Sequence, residues 1–289
     1  RRLLPTLECR TMPYPLLLHS KHLDTSVTYQ PFGDWIVPWR IRAFEPEYRS
    51  LREGIGLVDY STQALIEVRG ADRVAFLQNL LTNDIARLSA GTGCDAALLT
   101  PSGKLTATLV VLADLECVWL LCEAERAVVV TQTLERYLFS EQVRLTNHER
   151  RSAVLALQGP RTLEWLAGVV EPEVSLPKAG DHVCCVIQGI AARLVRQSLT
   201  GDVGVLCVCP AERALDLWEA LTECGKPLGL TRVGWEALNT ARIEAGIPWF
   251  GIDMDESNLL PETGLETVAV SETKGCYLGQ EIVARMQTY

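Results

Sequence analysis

The chain has 289 residues, enough for about two domains. Hydrophobic residues make up 48% of it and charged residues 22%, the balance of an ordinary globular protein. A net charge of -9 excludes a nucleic-acid or anionic-membrane binder, which would carry a basic excess.

The N-terminus carries Arg1, Arg2 and Arg10 but no apolar run of signal-peptide length, and Glu8 and nearby prolines interrupt any amphipathic presequence. Residues 63–69 read as a strand. Gly70-Ala71-Asp72 then opens a helix, with Asp72 as N-cap and Val74, Phe76, Leu77 and Leu80 as its apolar stripe. Residues 96–100 and 105–113 read as strands around the Pro101-Ser102-Gly103 turn, and 115–122 as another. The apolar stretch 105–122 is broken by Asp114 and Glu116, so no membrane span is expected. Residues 123–139 read as a helix and 143–147 as a short strand.

A second unit follows the same pattern. Residues 152–157 form a strand, Gln158-Gly159-Pro160 turns into a helix over 161–167, and 183–188 and 191–197 form a hairpin over Gly189. Residues 204–209 read as a strand, 211–224 and 234–245 as helices. Strands outnumber helices and a βαββ pattern occurs twice, which favours an α+β fold over a doubly wound parallel sheet. Ten cysteines occur without any Cys-x-x-Cys, and there are only four histidines. That predicts reduced, mostly core thiols and no metal site.

The run Lys274-Gly275-Cys276-Tyr277-Leu278-Gly279-Gln280-Glu281 places a thiol between a glycine and an aromatic, beside a lysine able to favour thiolate. By itself it is equally a Gly-rich turn with Tyr277 over the sulfur. As a string it resembles the K-G-C-Y-x-G-Q-E signature of the YgfZ-type folate-binding proteins, relatives of the glycine-cleavage T-protein that support iron–sulfur enzymes. Further pieces resemble the T-protein superfamily in order and spacing from about residue 32 to 285. They include Phe32-Gly33-Asp34-Trp35, a Gly56-Leu57-Val58-Asp59 turn, Leu81-Thr82-Asn83-Asp84-Ile85, Ala156 to Pro160, Thr200 to Gly204 and Arg242 to Pro248.

The resemblance implies two ferredoxin-like α/β lobes around a central tetrahydrofolate cavity. Residues 61–147 would be inserted into a first lobe built from 1–60 and 148–250, and 251–289 would lead to a C-terminal β-barrel domain that is absent from this chain. It also implies site residues. Asp202 follows Arg196-Gln197-Ser198-Leu199-Thr200-Gly201 and would accept two N–H bonds from a pterin edge, or else close an Asx-turn. Arg196 would pair with Asp202 or reach a folate carboxylate. Asn83 would meet the ligand or simply end a helix. Lys274 and Tyr277 join these as folate-binding residues, and Cys276 is the candidate redox or cluster-handling thiol.

Against the transferase pattern, Ala107 and Thr108 stand where an Asp-Asp pair is expected, Thr62 and Gln63 replace a histidine and a methionine, and Leu238 replaces an arginine. Arg242 reads as a structural anchor, Trp249 and Phe250 as stacking or core rings, and Asp253-Met254-Asp255-Glu256 as a solvated turn. The expected function is a tetrahydrofolate-binding protein supporting iron–sulfur cluster assembly or repair. Its partners would be folate and iron–sulfur client or assembly proteins, in the cytoplasm or, in a eukaryote, the mitochondrial matrix. The alternative is a tetrahydrofolate-dependent aminomethyl- or methyltransferase using a different acid; a scaffold without ligand is the third reading.

Overall fold

A computed structural model describes residues 13–21, 26–170 and 174–288. Arg1, Arg2, Glu8, Cys9 and Arg10 lie outside the described residues.

The first third contains β1 (Tyr14–Pro15), β2 (Thr28–Phe32), β3 (Trp35–Arg40), α1 (Phe44–Glu53), β4 (Gly56–Asp59), β5 (Gln63–Arg69), α2 (Arg73–Leu80) and β6 (Gly93–Leu99). The middle adds β7 (Leu105–Ala113), β8 (Cys117–Glu123), α3 (Ala124–Glu135), β9 (Arg144–Asn147), β10 (Ser152–Gln158) and α4 (Thr162–Val169). Then come β11 (His182–Ile187), β12 (Ile190–Arg196), β13 (Gly204–Pro210), α5 (Ala214–Gly225), β14 (Thr231–Arg232), α6 (Trp235–Glu244), α7 (Glu266–Ala269) and α8 (Gln280–Thr288).

These strands form a six-stranded sheet in the order β11-β12-β13-β10-β4-β14, a five-stranded sheet β6-β7-β8-β5-β9 and a small sheet β1-β3-β2. The α+β expectation holds. Most expected elements fall within a few residues of their places, because their apolar alternation is strong. Gln188 and Gly189 have φ of 49° and 79° and close the β11–β12 hairpin as a two-residue loop, the twist that suits antiparallel strands.

Three differences are instructive. Gly56-Leu57-Val58-Asp59 is a strand, not a turn: all four residues are buried and β4 lies between β10 and β14. A strand covered on both faces loses the polar alternation that would betray it. Gly56 is needed there because a Cβ would lie 2.5 Å from the Leu51 side chain and 2.9 Å from that of Val233. Asp72 does precede α2, but its carboxylate caps nothing in that helix; it accepts the Gln142 N–H at 2.7 Å. Asp253, in the expected solvated turn, pairs with the buried Arg242 guanidinium and accepts the Trp249 N–H. Arg242 is thereby an anchor, as its place at the end of α6 suggests.

Apolar clusters explain the stacking. Helices α4 and α5 cover one face of the six-stranded sheet through Trp165, Leu166, Leu217 and Trp218. Helices α2 and α3 cover the five-stranded sheet with Phe76, Leu77, Ala127, Val130 and Leu134, the last three on one helical stripe. Between the sheets, Val154, Ala156, Leu206 and Val208 meet Leu65, Leu112 and Leu121. A polar seam reinforces this join. Arg193 on β12 donates to Asp114 Oδ2 at 2.8 Å and lies 2.7 Å from His182 Nδ1, while His182 Nε2 lies 2.9 Å from the Ala113 carbonyl. Burial, then the neighbouring Arg193 charge, lower the His182 pKa, and an Arg193 N–H directed at Nδ1 suits a ring that donates from Nε2 to the Ala113 carbonyl.

Candidate functional site

A cavity of about 450 Å³ opens between the two large sheets. One wall is the five-stranded sheet, where strand period decides which residues face it. On β7, Thr108 and Val110 face the cavity, whereas Ala107 and Val111 pack into the core under α2 and α3. The two positions of the expected Asp-Asp pair are therefore not equivalent here: a carboxylate at 107 would be buried among apolar side chains, and only position 108 addresses the cavity.

The adjacent strands bring two carboxyls. Asp95 on β6 accepts from Gln197 Nε2 at 3.4 Å, and burial raises its pKa. Glu123 ends β8 at the N-cap position of α3, without a side-chain hydrogen bond to that helix; its Oε2 lies 3.5 Å from the Thr108 hydroxyl. Burial, opposed by its own backbone N–H, pushes the Glu123 carboxyl up to about 7. The other walls are Gln197, Ser198 and Leu199 before β13, and Tyr60 and Gln63 at the β4–β5 junction. A rim of residues 264–269, including α7, completes the enclosure. Trp249 lines the cavity and also packs against Phe32, Tyr60 and Trp235, with ring centroids 5.4 to 6.2 Å apart, so it serves as core and as an aromatic wall at once.

Asn83, Arg196, Asp202, Lys274, Cys276 and Tyr277 sit elsewhere; none of these six lines this cavity. Asp202 accepts from Arg52 Nη1 at 3.0 Å, and Arg52 also donates to the Thr200 carbonyl at 3.0 Å. Arg196 does not pair with Asp202; it donates to the Gly204 carbonyl at 3.3 Å. Asn83 Nδ2 donates to the carbonyls of Asp95 at 2.7 Å and Val268 at 3.1 Å, tying β6 to the rim.

The signature turn is also put to structural use. Lys274 Nζ donates to the carbonyls of Gln78, Leu81 and Asn83 at 2.6 to 2.8 Å, satisfying the C-terminal end of α2. Its three donors are thus committed to backbone carbonyls. Burial pushes its amine down to about 8, still protonated at neutral pH. Tyr277 is buried against Leu99, Leu105, Phe250 and Met254 rather than over the thiol. Cys276 is exposed, as is Cys184. Gly279, at φ 80°, packs where a Cβ would lie 2.6 Å from the Thr100 carbonyl, which is why this position takes glycine.

Sequence reasoning missed Asp95, Glu123, Gln63 and Ser198 as wall residues. For Glu123 a signal existed: a carboxylate closing the otherwise apolar run 117–122. Among the described residues, no group of three metal-ligating side chains forms a site, and no helix is long and apolar enough to cross a membrane.

This fold has known counterparts. The GCVT N-terminal domain family model matches residues 18–273. The chain belongs to that family. Within the aminomethyltransferase superfamily, the GCVT-domain chain is 30% identical over 274 residues to an aminomethyltransferase of Chlorobium luteolum, spanning 93% of this chain and 74% of that one. It is 31% identical over 274 residues to an aminomethyltransferase of Pelodictyon phaeoclathratiforme, with the same coverage of 93% and 74%. Among solved structures, the glycine cleavage system aminomethyltransferase T from Bartonella henselae superposes with a TM-score of 0.81 over 95% of this chain and 75% of that one, at 24% identity. The GCVT-domain chain thus has the T-protein fold expected for it.

Proposed function

We propose that this GCVT-domain protein binds tetrahydrofolate in the central cavity and acts in tetrahydrofolate-dependent transfer of an aminomethyl or methyl group. The observation that carries the reading is the cavity itself. Its volume of about 450 Å³ suits a heteroaromatic ring system with part of its tail. Leu109, Val110 and Leu199 offer flat apolar walls, and Trp249 an aromatic one. Asp95 has one weak side-chain partner, leaving acceptor capacity for the N–H groups of a pterin edge. The names of the relatives support a transferase over the iron–sulfur role that the 274–281 signature suggests.

Tetrahydrofolate would supply the nitrogen that receives the one-carbon group. The chain's own part is to orient that ring, exclude water between the sheets and hold a proton at the wall. The roles of Asp202, Arg196, Asn83, Lys274 and Tyr277 toward the ligand rest on the resemblance; from their places they would act by shaping the enclosure. One observation keeps an iron–sulfur role as a second reading, the exposure of the Cys276 thiol. Calorimetric titration with tetrahydrofolate tests the main proposal. Saturable one-to-one binding is the expected result, and no saturable binding up to millimolar ligand would overturn it.

A further inference from the structure

We propose that Glu123 is the proton-exchanging carboxyl of the cavity, acting on an amine nitrogen of the folate-class ligand from across the wall at Thr108. This rests on the folate reading above. It goes beyond it by assigning the missing acid to a different strand.

Three observations support the assignment. First is position. Glu123 lines both the central cavity and a narrower hollow beneath the β2–β3 hairpin, together with Tyr60, Gln63 and Trp249. Its carboxyl therefore stands where two hollows meet, and a group held in either can reach it. Second is the neighbour. Position 108 is the cavity-facing member of the expected acidic pair, and the Thr108 hydroxyl is 3.5 Å from Glu123 Oε2. Neighbouring strands bring side chains within about 4.5–5.5 Å at Cβ, so a carboxylate lost from one can be replaced from the other. Third is availability. Among the described residues Glu123 forms no ion pair. The closest cation on its helix, Arg126, is engaged by the Thr106 carbonyl at 2.9 and 2.7 Å and by Glu256 at 3.7 Å.

The charged and titratable groups facing Glu123 are few. Glu125 and Arg126 come from α3, Tyr60 from the β4–β5 junction and Cys122 from its own strand. The Tyr60 and Cys122 protons are held well above neutral pH by burial, and so stay in place while Glu123 titrates. Burial, aided by Glu125, sets the carboxyl near neutrality, where it can both give and take a proton. In the forward step its O–H bond breaks as an N–H bond forms on the amine, leaving a carboxylate. The reverse step returns the proton when the amine loses it.

The test is tetrahydrofolate binding to the full chain, measured by calorimetry in two buffers of different ionisation enthalpy from about pH 6 to pH 8. Wild type should exchange up to about one proton on binding, with the amount changing around neutrality. Glu123→Gln should bind but lose that pH-dependent exchange, and adding Thr108→Asp to it should restore part of it. A ligand-independent check is the infrared band of a protonated carboxyl near pH 6, expected in wild type and lost in Glu123→Gln. Unchanged exchange in Glu123→Gln, or a protonated-carboxyl band that persists in it near pH 6, overturns the assignment while folate binding stands. Absence of binding by wild type overturns the folate reading and this inference with it.

Discussion

The 274–281 turn and the cavity wall at 95, 108 and 123 both carry polar side chains, and they dispose of them in opposite ways. In the turn, the Lys274 ammonium has all three N–H groups on carbonyls, and Tyr277 is packed in an apolar cluster. On the wall, Asp95 and Glu123 keep long contacts of 3.4 and 3.5 Å with Gln197 and Thr108, and burial raises both carboxyls. A segment with a distinctive sequence can be distinctive because it holds the fold together. Carboxyls with few and long contacts in a concave, partly dry place are the stronger pointer to chemistry.

The sharpest way to break this contrast is Lys274→Ala. It would strand three carbonyls at the end of α2 and should cost about 3–5 kcal/mol of unfolding free energy, read by urea denaturation. A loss below about 1 kcal/mol would mean that the turn is not structural.

Glu123→Gln should act on stability in the reverse direction, and only at high pH. Burial raises the folded-state value from 4.5 to about 7, so the unfolded chain ionises first and wild-type stability falls as pH rises through that window. The variant should equal wild type near pH 4 and exceed it by about 1–3 kcal/mol at pH 8, measured by denaturation at both. A variant less stable at pH 8 would show that the carboxylate is well solvated or paired.

Asp202→Ala sharpens the comparison from outside the cavity. Its half-exposed pair with Arg52 is worth about 0.5–1 kcal/mol, because Arg52 keeps the Thr200 carbonyl and Glu244. Tetrahydrofolate affinity should change less than about three-fold; a ten-fold or greater loss would place the pterin edge at Asp202 after all. The smallest effect is expected at Cys276. Limiting alkylation followed by peptide mapping should label Cys276 and Cys184 before the buried Cys117, Cys122, Cys185, Cys207 and Cys209, and Cys276→Ser should leave stability within about 0.5 kcal/mol.

Much of the fold was legible. The hairpin over Gly189 and the helix read over 123–139 follow from local periodicity, and the ordered motifs point to the T-protein fold. The strand β4 was hidden because burial on both faces erased its period. The wall was harder to read than the turn. Its residues come from β6, β7 and β8 and from loops before β5 and β13, and only the stacking of two sheets brings them together. Arg196 and Asp202 drew attention as charges in a quoted motif, yet Gln197 and Ser198 between them are the ones that reach the cavity.

The seam of Arg193, His182, Ala113 and Asp114 has a mechanical consequence. Two plates pinned to each other by an ion pair and shared apolar packing cannot slide apart without unpinning that edge. Strand-built walls are equally stiff, since each is held by its ladder. The rim at 264–269 belongs to neither sheet and is fastened by hydrogen bonds from the Thr82 side chain to the Ala269 carbonyl, from the Asn83 side chain to that of Val268, and from the Ser271 N–H beside it to the Thr82 carbonyl. The rim is therefore tied to the loop that follows α2, and what moves that loop moves the rim with it.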